Sequence, residues 1–277
     1  MKKSIFAFAL LLTVGLLATA CNRTAPLPED PQVTIPEHTV PETTSHAGTD
    51  IPDETLPSAE APVTESPAEP APPVLHSGIR EDGSFDAGTL FIGDSQTFLF
   101  IEHFLKTSGL LGDAKYAVQC GSQVTAFFDT DIRPTVDKNA YYLFSPEFEG
   151  LSFCEAAAQM GEEATAIYIM WGTNHTQDAT AQNYIDIAAY LLEVCPNATV
   201  HLETIPRGDS AYTEVNERIR GAWEHFQSIG EPRVTMVDTF EGIGIYINSD
   251  RIHVDPQGRE GWYNALVLHA ETLGLAQ

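Results

Sequence analysis

Basic residues are scarce. The 277-residue chain has 14 Lys and Arg against 39 Asp and Glu, a formal net charge of −25. Binding a phosphate backbone requires a basic face. The 11 bases beyond residue 77 are scattered among 29 acids, so nucleic acid is excluded as a partner. Cysteine is also scarce: four residues are too few for a disulfide scaffold. Past the N-terminus no apolar run reaches the ~18 residues of a membrane-spanning helix. The chain is nevertheless 43% hydrophobic, enough for a core, and its length suits about two domains or one domain with additions.

Three segments differ in composition. Residues 1–21 read as an export signal: Lys2 and Lys3, then an apolar stretch from Ile5 to Leu17, then Leu17-Ala18-Thr19-Ala20-Cys21. Small residues before a cysteine resemble the lipobox of bacterial lipoproteins, which implies that Cys21 becomes the lipidated first residue of the mature chain. An ordinary cleaved signal is the alternative. Residues 22–77 hold 12 of the 18 prolines, ten acids, one base (Arg23) and no Trp, Tyr or Phe. Such a stretch buries too little apolar surface to offset its ordering entropy and is expected to be a disordered Pro/Thr/Glu-rich linker. Fully extended it would reach ~170 Å; as a coil it would average ~40 Å. The expected location is the outer face of a bacterial membrane, lipid-anchored, with secretion as the alternative.

Residues 78–277 read as the folded domain, 11 bases against 29 acids, net −18. Apolar runs at 89–93, 115–118, 165–171, 199–205 and 233–238 predict strands. Amphipathic stretches at 96–107, 151–160, 179–194, 211–229 and 256–273 predict helices, with Pro256 at a first helical position and Asp209 or Ser210 as a cap. The alternation predicts βαβ units, a mainly parallel five-stranded sheet and a three-layer α/β/α sandwich. Reactive groups in such sheets gather at the carboxyl ends of strands.

Four short segments fall at such ends or near the last helix. Gly93-Asp94-Ser95 joins the first strand to a helix. A serine there has a helix N-terminus and its own N–H to favour negative charge, although taken alone the motif reads more simply as a helix cap by Asp94 or Ser95. Gly172-Thr173-Asn174 ends the third strand, where an Asn amide can face an oxyanion or make a turn. Gly121 follows the second strand and admits close backbone approach, as any turn glycine does. Asp250-Arg251-Ile252-His253 has the offset that lets a carboxylate meet the imidazole. A surface pair near a helix start, with Asp255 as its cap, has the same look.

Together and in this order, these segments resemble the SGNH (GDSL-type) hydrolase family over residue 88 to the C-terminus. The resemblance implies a flavodoxin-like α/β/α fold, Ser95 as nucleophile, His253 as base held by Asp250, and an oxyanion hole from the N–H groups of Ser95 and Gly121 and the Asn174 side chain. It implies an acyl-enzyme route with no metal or cofactor. Two departures stand out: His175 replaces the family's Asp after the Asn, and Gln96-Thr97 follows the serine. Residues 129–150 read as an insertion near the site mouth or a surface hairpin.

His103, His175, His201, His225 and His269 lack zinc-like spacing and are expected to be structural or surface residues. Cys195 reads as a small buried hydrophobe, and a Cys120–Cys154 disulfide is left open. Glu214 with Arg218 and Glu217 with Arg220 read as solvent-face pairs. The expected function is a surface-tethered monomeric serine esterase acting on an ester-bearing substrate, favoured to be an acetylated glycan or cell-wall polysaccharide. The alternatives are an O-acyltransferase, a lysophospholipase or lipase, and a non-catalytic glycan-binding lipoprotein.

Overall fold

The computed structural model describes residues 72–132, 142–206, 210–239 and 246–275. The export signal, Cys21, all of the linker before residue 72, and Asp209 of the suggested helix cap lie outside the described residues.

Among the described residues six strands form one sheet: β1 (Thr89–Gly93), β2 (Lys115–Gln119), β3 (Tyr142–Phe144), β4 (Ala166–Met170), β5 (Thr199–Glu203) and β6 (Val234–Val237). Their order is β3-β2-β1-β4-β5-β6. Five are parallel, as expected. The sixth, β3, is an addition to the expected five and pairs antiparallel with β2, Val118 opposite Leu143. The stretch read as an insertion or hairpin thus supplies an edge strand. Among the described residues, five α-helices accompany the sheet: α1 (Ser95–Thr107), α2 (Phe153–Met160), α3 (Ala181–Val194), α4 (Ser210–Ser228) and α5 (Pro256–Thr272).

The helix starts follow from their caps. Asp94 accepts the Gln96 N–H at 3.0 Å to open α1. Ser152 with Glu155, and Thr180 with Asn183, form capping boxes on α2 and α3. Asp255 caps α5 with Pro256 in its first turn. So Asp255 is a cap while Asp250 remains available to His253: the two readings of this segment both hold, for different acids.

β1, β4 and β5 are wholly buried. The apolar runs of β1 and β4 are accordingly continuous, whereas β5 alternates Thr, Val, His, Leu and Glu and buries its polar residues too. One sheet face carries a cross-strand ladder, Phe91 opposite Tyr168 opposite His201 opposite Thr235. Phe91 and Tyr168 stack at 5.1 Å, Tyr168 and His201 at 4.4 Å. Phe100 of α1 and Trp262 of α5 pack against each other at 4.7 Å, with Phe100 also against Phe91. α2, α3 and α4 contact one another in turn as the second helical group.

The domain begins a little before the ladder. His76 donates its N–H to Thr199 Oγ1 at 2.8 Å, and its carbonyl takes the His201 Nε2 proton at 2.9 Å. The Tyr168 hydroxyl donates to the Ser77 carbonyl at 2.6 Å. Since His201 Nε2 carries a proton toward a carbonyl, its Nδ1 accepts from the Thr235 hydroxyl at 2.7 Å. Burial lowers His201 to about 3 and His269, 3.1 Å from Thr235, to about 4.

Glu203, two residues along β5, accepts the Trp262 indole N–H, and its other oxygen has no partner among the described residues. Burial raises its carboxyl to about 8, against the indole bond that lowers it. A folded value above the unfolded one stabilises the fold below the unfolded value, and that stability is lost as pH rises toward about 8. The slope is up to about 1.4 kcal/mol per pH unit. Glu203→Gln keeps an acceptor for Trp262 and removes the ionisation. Urea unfolding at pH 5, 7 and 9 is expected to show the variant gaining on wild type as pH rises. A constant difference across the three would mean that Glu203 is ionised in the fold at neutral pH.

Candidate active site

β1 lies between β2 and β4, with Gly93 opposite both Val118 and Met170. The loops leaving these three strands therefore emerge side by side, where the strand order switches direction around β1. Gly93 is required there: a Cβ would stand 2.1 Å from Thr97 Oγ1 and 2.3 Å from the Met170 carbonyl oxygen.

Asp94 is fully buried and binds across the crevice. Besides Gln96, its carboxylate accepts from Gly172 N at 3.2 Å, Thr173 N at 2.9 Å and Thr173 Oγ1 at 2.5 Å. Burial raises its carboxyl, and these four donors act against the rise. Asp94 is thus more than a cap: it fastens the loop after β4 to the start of α1.

Ser95 is the first residue of α1, and its Oγ lies 2.9 Å from His253 Nε2. His253 Nδ1 lies 2.8 Å from Asp250 Oδ2. The other Asp250 oxygen accepts the N–H groups of Ile252 at 2.8 Å and His253 at 3.0 Å. Burial acts to raise the Asp250 carboxyl, but these backbone donors and the His253 ring hold it below the ordinary value. An ionised carboxylate only accepts, so Nδ1 bears the ring proton and Nε2 is the acceptor for the Ser95 hydroxyl.

Asn174 donates its amide to the Ser122 carbonyl at 3.2 Å, which also takes the Trp171 indole N–H at 3.2 Å. One amide proton of Asn174 is fixed by that bond. Gly121 has φ +76°, and no described residue accepts its N–H. The structure thus brings Ser95, His253 and Asp250 into direct contact. It joins Asn174 to the Gly121-Ser122 turn and ties that loop to Ser95 through Thr173 and Asp94. His175 takes a left-handed conformation, φ 51°, with its side chain exposed.

Cys120, Cys154 and Cys195 are all free thiols, so no Cys120–Cys154 disulfide forms. Burial, then Asp94 and Glu102, push the Cys120 thiol up to about 12, far from a neutral-pH thiolate. Arg218 is more than a solvent-face partner of Glu214, 3.5 Å away. It donates to the carbonyls of Thr176 at 2.8 Å and Ala179 at 3.1 Å, bracing the loop that follows Asn174. Sequence reasoning passed over this role, because an i, i+4 Glu–Arg pair looks alike on any helix.

No family model and no curated protein sequence matches the chain. Solved structures do. A family two carbohydrate esterase from Clostridium thermocellum, in complex with cellohexaose, superposes with a TM-score of 0.50 at 12% identity, over 68% of this chain and 64% of that one. This chain thus spans less than two thirds of that protein's length. A Clostridium thermocellum family 3 carbohydrate esterase has a TM-score of 0.43 at 14% identity, covering 68% of this chain and 98% of that one. A family 3 carbohydrate esterase from Talaromyces cellulolyticus has 0.38 at 17%, covering 67% and 96%. The fold is the α/β/α sandwich with a mostly parallel sheet that the alternation of strands and helices predicted. In that fold the chain is similar to the family two carbohydrate esterase from Clostridium thermocellum.

Proposed function

We propose that this chain is a serine esterase that removes acyl groups, acetyl foremost, from an extracellular glycan. The observation that carries the reading is the unbroken contact from Asp250 through His253 to Ser95. His253 Nε2 takes the Ser95 proton as Oγ attacks the ester carbonyl, and Asp250 stabilises the imidazolium that results. The oxyanion lies among the N–H groups of Ser95 and Gly121 and the free proton of the Asn174 amide. His253 then protonates the departing sugar oxygen. Water, deprotonated by the same ring, releases the acid from the acyl-enzyme.

A cleft of about 320 Å³ beside Gly121 is lined by Gln119, Gln123, Thr125, Asp129 and Ile132. Amide, hydroxyl and carboxylate groups match sugar hydroxyls better than an acyl chain. The esterase from Clostridium thermocellum that holds cellohexaose supports the same substrate class. In this reading the N-terminal signal exports the chain, a lipid on Cys21 anchors it outside the membrane, and the proline-rich segment spaces the enzyme from that surface.

The test is hydrolysis of p-nitrophenyl esters from acetate to palmitate, with acetylated xylan and acetylated peptidoglycan alongside. Highest kcat/KM on acetate, with acetate released from a glycan, is expected. A maximum at palmitate would replace the glycan reading by a lipase one, and no turnover of any ester would end the esterase reading.

A further inference from the structure

The sequence departs from its family pattern immediately after the serine, and the structure gives that residue work. Gln96 is 1% exposed, and its carboxamide grips the backbone on both sides of His253. Nε2 donates to the Ile252 carbonyl at 2.7 Å, and Oε1 accepts the Val254 N–H at 3.1 Å. This is the pattern by which one residue of a parallel strand brackets its neighbour, taking the N–H after it and the C=O before it. The side-chain amide therefore stands in for a strand residue beside the histidine.

Apart from the His253–Ser95 contact itself, the loop's other bonds shape it without attaching it to α1. Ile247 bridges Val254, Asn248 N donates to the His253 carbonyl at 2.7 Å, and Asp250 receives the two N–H groups already described. Gln96 itself is fixed by its backbone bond to Asp94, and the adjacent Thr97 hydroxyl is fixed to the Met170 carbonyl at 3.0 Å.

We propose that Gln96 is a positioning residue for the triad: its carboxamide sets His253 against Ser95, which precedes it in the chain. The proposal rests on the serine-esterase reading. Only an amide serves. Methionine matches the length but offers neither group, and leaves the Ile252 carbonyl and Val254 N–H unpartnered. An ionised glutamate keeps the acceptor and turns a negative oxygen toward the Ile252 carbonyl. A misplacement near 1 Å lowers rates by ~10²-fold.

The test uses the full chain and a fluorophosphonate, which labels an activated serine. Its end point counts competent sites and its rate measures each site's reactivity. Rapid labelling of wild type at Ser95 checks the underlying reading, and its absence would defeat that reading before the clamp is judged. With wild type labelled, Gln96→Met is expected to keep a full end point while the labelling rate and kcat on p-nitrophenyl acetate fall together, roughly 10- to 100-fold. KM should stay within about two-fold, since no substrate group meets Gln96. Gln96→Glu is the second variant, to be used if the first does not fold, with the same pattern expected. A reduced end point with an unchanged rate per site would make Gln96 merely structural. Unchanged rate and kcat in a folded variant would likewise overturn the proposal.

Discussion

Ser95→Ala is expected to lower kcat for p-nitrophenyl acetate by about 10⁴-fold or more while leaving the fold in place. The Ser95 hydroxyl is the group in contact with His253 Nε2. Nearby hydroxyls have other tasks: Thr97 is bound to the Met170 carbonyl, and Thr173 to Asp94. Helix α1 is capped by Asp94 rather than by Ser95, so removing one oxygen does not remove the cap. A residual rate above the uncatalysed one is expected, because oxyanion donors and substrate binding survive the change. Circular dichroism and a thermal melt establish that the variant is folded. Activity within about ten-fold of wild type would place the nucleophile on another side chain.

Asp250→Asn is expected to lose nearly as much, through the position of one proton. The oxygen that accepts the Ile252 and His253 N–H groups has an equivalent in the asparagine carbonyl, so the turn is kept. The other oxygen becomes an NH₂ donor facing Nδ1. The ring must then carry its proton on Nε2, pointing a donor at a serine hydroxyl that needs an acceptor. In a serine protease the corresponding change lowers kcat by ~10⁴. An activated p-nitrophenyl ester will narrow the gap, so an acetylated glycan should show the larger loss. Nitrogen NMR of the ring reads the tautomer directly. A folded variant with Nδ1 still protonated and kcat close to wild type would separate Asp250 from the mechanism.

The parts of this arrangement readable in the sequence are those in which a local pattern and a tertiary role coincide. β1 is a continuous apolar run that ends at a glycine no other residue can replace, and its bounds match the reading. The remaining strands and the helices fall within about two residues of expectation, the usual uncertainty where ends fray. Asp250 and His253 meet within one turn, so their spacing alone carries the contact. β3 was not legible: three half-exposed residues have no periodicity, and only pairing with β2 makes them a strand. Gln96 was seen as a departure but not as a clamp, because its partners are backbone atoms 156 and 158 residues away. Glu203 was hidden because it falls on the polar half of an alternating strand, Thr199-Val200-His201-Leu202-Glu203, a pattern that reads as one face in solvent although both faces are buried. The place of His76 and Ser77 was hidden too, since they directly follow a proline-rich stretch and look like its end.

Those two residues fasten the start of the described domain to the sheet. His76 is bonded to Thr199 and His201 of β5, Ser77 to Tyr168 of β4, and the Gly78 carbonyl to Thr89 of β1 at 3.2 Å. Thr89 and Thr199 open their strands, whereas Ser95 and Asn174 follow the far ends of theirs. Five residues of strand, roughly 16 Å, separate the two edges of the sheet. The segment His76–Gly78 is therefore held by bonds to three central strands. The Ser95–His253 contact stands beyond the carboxyl ends of the strands, so the segment that opens the domain and the groups that meet at the site make separate demands on the sheet.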